Sequence, residues 1–138
     1  MNIIDVAAAL VFRKGKLLIT QRFSDDHLGG LWEFPGGKRE EGESFEDCLR
    51  RELDEELRIQ VYVYELVEAV THAYHEKTVH LRFFRCEWRC SEPVAVGCAD
   101  FKWVSAMQLK QYDFPAADAQ LLEKLENTPA LWGERADS

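Results

Sequence analysis

The sequence predicts an α/β domain with a mixed sheet lying between helices, on three observations. Strand-like runs precede, separate and follow two or three helix-like stretches, several of those runs are close enough to form hairpins, and Phe45, Leu49, Leu53 and Leu57 recur every fourth residue. The last pattern belongs to a helix that lays one stripe on a sheet. With 138 residues and neither repeats nor linkers, residues 1–138 are expected to form one domain.

Ile3 to Phe12 and Lys16 to Arg22 are β-rich runs separated by Arg13-Lys14-Gly15, so they should pair as an antiparallel hairpin. From Phe23 to Gly42 the periodicity stops. Five of the eight glycines fall there, together with Pro35, and the segment reads as an ordered loop. Ser44, with Asp47 three residues on, opens a helix expected to end near Leu57. Val61 to Val70, Thr78 to Trp88 and Phe101 to Val104 add three strands. Ser105 should cap a short helix to Tyr112, and Pro115 or Ala116 should open another through Glu126. The tail from about residue 127 is expected to be loosely held.

Composition excludes several classes of function. Lysine plus arginine number 17 against 25 acidic residues, a net charge of −8, and no basic run offers a duplex nucleic acid its phosphate contacts. A surplus of carboxylates can hold divalent cations, and through them a small phosphorylated ligand. The apolar opening stretch contains Asp5 and is too short to span a bilayer, so neither a membrane span nor a targeting signal is expected. Cys48, Cys86, Cys90 and Cys98 lack zinc-knuckle spacing and read as reduced structural thiols, in keeping with a cytoplasmic protein.

The chemistry concentrates between Gly36 and Leu57. On a helix of 3.6 residues per turn, Glu52, Glu55 and Glu56 fall within an arc of about 100° that overlaps the edge of the apolar stripe. Carboxylates crowded there repel one another and lose hydration, and a bound Mg2+, or Mn2+ in its place, relieves both penalties. Alternatively this is a solvated helix face with Arg51 paired to Glu55 at i,i+4. The glycines before the helix leave bare backbone that a phosphate or metal can approach, with Lys38 beside it.

Gly37, Glu43, Arg51, Glu52, Leu53, Glu55, Glu56 and Ile59 together resemble the Nudix box, here spanning residues 37–59, with Arg58 in place of the box's late glycine. Leu31-Trp32-Glu33-Phe34-Pro35-Gly36-Gly37-Lys38 looks like the MutT branch, and Asp113-Phe114-Pro115-Ala116-Ala117-Asp118 resembles that branch's base-recognition segment. The likeness runs over roughly residues 3 to 126. It implies a Nudix α/β/α sandwich and a Mg2+-dependent hydrolysis of nucleoside triphosphates to monophosphate and pyrophosphate, as in the removal of oxidised nucleotides such as 8-oxo-dGTP. CTP or another pyrimidine triphosphate, nucleotide-sugar diphosphates, and a non-catalytic nucleotide-binding module are the other readings.

Carried over by position, the resemblance implies that Glu52, Glu55, Glu56 and the Gly36 carbonyl hold metal. It implies that Arg51 orients a carboxylate, Glu43 steadies the loop, and Arg22, Gly37 and Lys38 meet phosphate. Phe34 and Tyr74 would line the base pocket and Asp118 would meet the base edge. Residue by residue, Asp118 also reads as a helix cap and Phe34 as core. Two positions depart from the pattern. Arg58 stands where a glycine commonly ends the helix, so the chain is expected to leave by another path, and Gly97 stands where MutT relatives often carry a glutamate. Glu52 is then the candidate general base.

Overall fold

The computed structural model describes residues 3–133. Strands β1 (Ile3–Arg13) and β2 (Lys16–Gln21) form the expected hairpin, with Lys14 and Gly15 both at positive φ in the turn. They pair only at Phe12–Arg13 against Lys16–Leu17 and then part. Two short strands take up the freed edges: β3 (Trp32–Glu33) pairs with the end of β2, and β4 (Gly36–Lys38) pairs with Val6–Ala8 of β1. The segment read as loop therefore contributes two strands, of two and three residues, too short to show a period in sequence.

Helix α1 (Phe45–Leu57) starts at Ser44, whose side chain accepts from the Asp47 N–H. Strands β5 (Gln60–Ala73) and β6 (Thr78–Cys90) form a long antiparallel pair, and β6 runs parallel to β1 over Ile3–Phe12, which makes the sheet mixed. Strand β7 (Asp100–Val104) pairs with β2, α2 (Ala106–Leu109) carries a capping box at Ser105, and α3 (Ala119–Asn127) follows a 3-10 turn at Ala116–Asp118.

Each face of the sheet buries its own core. Ala7, Ala9, Val11 and Leu18 point to one side and meet Cys48, Leu49, Leu53 and Leu57 of α1. Leu10, Phe12, Leu17, Ile19 and Phe83 point to the other and meet Leu121 and Leu125 of α3. This is the expected α/β/α arrangement. The tail is tied more firmly than its sequence suggests: Pro129–Trp132 form a 3-10 turn, Trp132 is buried against Phe12, and its indole N–H donates to the Leu125 carbonyl at 3.0 Å. Only residues 134–138 of the segment expected to be loose lie outside the described residues.

Arg58 does not send the chain along another path. It adopts the left-handed conformation itself (φ 59°, ψ 32°) and its N–H closes α1 on the Asp54 carbonyl. Fully buried Ile59 then anchors the turn in the α1-side core.

Candidate active site

The parting of β1 and β2 leaves a cavity of about 300 Å³. It gathers residues from strands, helices and the loops between them: Arg22 after β2, Phe34 between β3 and β4, Gly36, Gly37 and Lys38 on β4, Glu56 on α1, Tyr74 after β5, and Asp118 before α3. All eight are sequence-assigned site residues. Arg51, Glu52 and Glu55 stand beside this cavity and do not line it.

Two glycines are there for close approach. A Cβ on Gly36 would strike the Ala7 carbonyl of the paired strand, and a Cβ on Gly37 would strike the carboxylate of Glu52. The helix carboxylate thus lies directly against the β4 backbone. Arg51 organises what surrounds it: Nε and Nη2 grip Glu43 at 2.7 and 2.9 Å, Nη1 donates to Glu52 at 2.8 Å, and Nη2 donates to the Lys38 carbonyl at 3.2 Å. This double grip holds the Glu43 carboxyl down at about 2.

The three helix carboxylates are not equivalent. Glu55 is exposed and meets Arg51 at 3.4 Å, the i,i+4 pair of a surface helix. Glu52 and Glu56 are half-buried. Burial raises the Glu52 carboxyl against the pull of Arg51. Burial, then repulsion from Glu33 and Glu52, pushes Glu56 up to about 8 against a hydrogen bond from the Gly36 backbone. Among the described residues no three acidic, histidine or cysteine side chains gather around one point as an ion's cage, and Arg51 contacts both Glu52 and Glu55. The donor chemistry nevertheless suits a hard divalent cation. It consists of carboxylate oxygens, two of them destabilised as anions, beside a backbone that only glycine leaves open.

At the far end of the cavity Asp118 is buried, makes no side-chain cap hydrogen bond to α3, and is raised to about 7 by burial and by Glu33. The helix-cap reading is thereby excluded. At such a pKa the group is not simply an acceptor, since its acid form also donates near neutral pH. Phe34 serves both of its readings: it is buried, stacks on Phe114 at 5.0 Å, meets Phe83 edge-on, and still lines the cavity. Tyr74 sits edge-on to His72 and His27, and His27 lines the cavity with it.

Sequence reasoning missed Glu33. It lines the same wall, binds Arg22 Nη1 at 2.9 Å, is raised by burial, and acts electrostatically on both Glu56 and Asp118. In the sequence it is one glutamate among many, with only its place beside Phe34 and Gly36 to single it out. Gly97 is also explained. The N–H groups of Val94, Val96 and Gly97 cap the Leu57 and Glu56 carbonyls at 2.9 to 3.0 Å, and a Cβ at Gly97 would stand 3.2 Å from Glu56 Cα and Cγ. The loop approaches the helix too closely there to present a side chain freely.

A NUDIX domain is matched over residues 7–124. The chain is 37% identical over 123 residues to a CTP pyrophosphohydrolase of Escherichia coli (strain K12), covering 89% of this chain and 91% of the relative. It is 34% identical over 127 residues to an 8-oxo-dGTP diphosphatase of Haemophilus influenzae, covering 91% and 93%. Among solved structures, that of the E. coli ORF135 protein superposes with a TM-score of 0.80 at 34% identity, covering 94% and 93%. A MutT protein from Methanosarcina mazei Go1 superposes with a TM-score of 0.81 at 25% identity, covering 91% and 94%.

Proposed function

The chain belongs to the Nudix hydrolase family, in its MutT-like branch, and from that premise we propose that it is a Mg2+-dependent nucleoside triphosphate diphosphatase, releasing nucleoside monophosphate and pyrophosphate. Nudix hydrolases generally use a divalent metal such as Mg2+. The supporting observation is convergence: cations at 22 and 38, a box carboxylate at 56 and a buried carboxyl at 118 meet in one cavity.

In this reading Glu52, Glu55, Glu56 and the Gly36 carbonyl hold Mg2+, or Mn2+ in its place. The metal, when bound, neutralises phosphate oxygens and lowers the pKa of water. Arg22 and Lys38 draw the phosphate chain to the helix end of the cavity, beside Gly37, whose bare backbone lets the Glu52 carboxylate come up against it. Arg51 keeps Glu52 facing Gly37, and Glu52 takes a proton from the water that attacks the β-phosphorus. Phe34 and Tyr74 bound the base, and Asp118 meets its edge.

The ionised form of Asp118 accepts and favours bases with donor edges, guanine or cytosine, whereas its acid form also donates to the carbonyls of thymine and uracil, so the preference sharpens above about pH 7. 8-oxo-dGTP is the first substrate reading, with sanitation of oxidised nucleotides as the role. CTP is the second, favoured by the relative named for it. The partner is thus a small nucleotide. The free thiols suit a reducing cytoplasm, and among the described residues no helix is long and apolar enough to cross a membrane. The test measures pyrophosphate released from 8-oxo-dGTP, dGTP, CTP, dCTP and dTTP, with Mg2+ and with chelator, for the wild type and Asp118→Asn. Metal-dependent release with a ranking that changes at Asp118→Asn is expected. Absence of release from every triphosphate refutes the enzyme reading, and an unchanged ranking refutes the role of Asp118.

A further inference from the structure

At a position that the box pattern leaves open, one basic side chain joins the β4–α1 loop to the sheet. Arg39 Nη1 donates to the Glu43 carbonyl at 3.0 Å, Nη2 meets Asp5 Oδ2 at 3.3 Å, and its backbone N–H donates to the Asp5 carbonyl at 2.9 Å. Its guanidinium also lies over the Phe45 ring at 4.9 Å, where α1 begins. One planar group therefore touches β1, the end of the loop and the start of the helix. Among the described residues its Nε is buried without a hydrogen-bond partner, so the stacked, bridging pose is held at the expense of a donor.

The loop pinned this way ends at Glu43, whose carboxylate receives both arms of Arg51, and Arg51 in turn holds Glu52. The contacts form a continuous line from Asp5 through Arg39, Glu43 and Arg51 to Glu52. We propose that Arg39 is a positioning residue for the divalent-metal site, fastening the β4–α1 loop to β1 so that Glu43 and Arg51 present Glu52 to the metal. This rests on the assignment of the metal to the helix carboxylates. Arg82 supplies an internal comparison: it shares the Phe45 ring at 4.7 Å and Asp5 at 3.6 Å, but makes no hydrogen bond to the loop among the described contacts.

The experiment titrates Mn2+ into metal-free protein by electron paramagnetic resonance and separately finds the Mg2+ concentration for half-maximal pyrophosphate release. Arg39→Gln is expected to raise both midpoints about ten- to a hundredfold, the usual effect of losing a residue that orients a metal ligand. Turnover at saturating Mg2+ is expected to recover to within about threefold. Asp5→Asn should move the midpoints the same way, and the double variant should be no worse than the weaker-binding single variant, since both cut one line of contacts. Arg82→Gln should bind Mn2+ like the wild type. If Arg39→Gln does not fold, Arg39→Lys answers the same question: it keeps the charge on Asp5, loses the simultaneous grip on Glu43, and should lie between.

Glu56→Gln separates the two levels of the argument. Weakened Mn2+ binding in Glu56→Gln with wild-type binding in Arg39→Gln or Arg39→Lys overturns the positioning role alone. Wild-type Mn2+ binding in Glu56→Gln overturns the metal assignment and the proposal with it. Equal weakening by Arg82→Gln and Arg39→Gln also overturns it, because shared packing on Phe45 would then account for the effect.

Discussion

Asp118→Asn should make the protein more stable at pH 8 than at pH 4 relative to wild type. Burial and the charge of Glu33 raise the Asp118 carboxyl from 3.8 to about 7. A carboxyl raised in the folded state keeps its proton there while the unfolded chain releases it, so wild-type stability declines as pH rises from about 4 to about 7 and then levels off. A shift of about three units at about 1.4 kcal/mol each sets the decline near 4 kcal/mol. Asp118 is only 7% exposed, so solvent screens little of this. An amide does not titrate, and the difference between variant and wild type should open by roughly 1.5 kcal/mol at pH 5 and 3 to 4 kcal/mol at pH 7 to 8. Urea unfolding of both proteins at one-unit steps from pH 4 to 8 measures it. A stability difference that stays constant across that range would mean that Asp118 carries no raised pKa in the folded protein.

Three further substitutions follow from the site. Glu56→Gln should lower hydrolysis by about a thousandfold through loss of an anionic ligand, while calorimetry finds the melting temperature within about 2 °C of wild type. The carboxyl is already raised to about 8 in the metal-free protein, so the amide replaces a group that is mostly neutral at pH 7. Arg58→Gly should stabilise by about 1 kcal/mol, near 3 °C in thermal melts, by relieving a side chain held at φ 59°. An unchanged melt would mean that the Arg58 Nη1 contact to the Asp54 carbonyl offsets the strain. Gly97→Glu should reduce turnover at saturating Mg2+, because the new Cβ presses on Glu56 from 3.2 Å; a faster enzyme would show instead that the loop can yield and supply a base.

Much of this was legible in the sequence because periodicity and spacing are local. The recurrence of Phe45, Leu49, Leu53 and Leu57 at every fourth residue placed α1 and its buried face, and Ser44 with Asp47 marked its start. The carboxylate arc was legible only in part. Helix geometry put Glu52, Glu55 and Glu56 near the core edge, yet Glu55 lies far enough round to be solvated, while Glu52 is buried by the β4 backbone and not by the helix's own neighbours. Strands β3 and β4 were hidden because a strand of two or three residues exists through its partners and carries no pattern of its own. Trp132 looked like part of a loose end because nothing near it in sequence announces that Phe12, 120 residues earlier, is its packing partner.

The residue that sequence reasoning missed shows where local reasoning stops. Glu33 gains its importance from electrostatics across the cavity: it adds to the burial that raises Asp118 at one end and Glu56 at the other, while Arg22 pairs with it at 2.9 Å. These groups come from β3, α1 and the turn before α3, and they meet only because β1 and β2 pair for two residues and then separate. Had the hairpin zipped further, β4 could not have paired with Val6–Ala8, and Gly37 would not have come against Glu52. The glycines that allow this close approach carry no charge and no ring, yet they determine where every charged group of the site ends up. A side chain at Gly36 would push β4 off β1, and with it the backbone wall that faces both the helix carboxylates and the phosphate-facing cations.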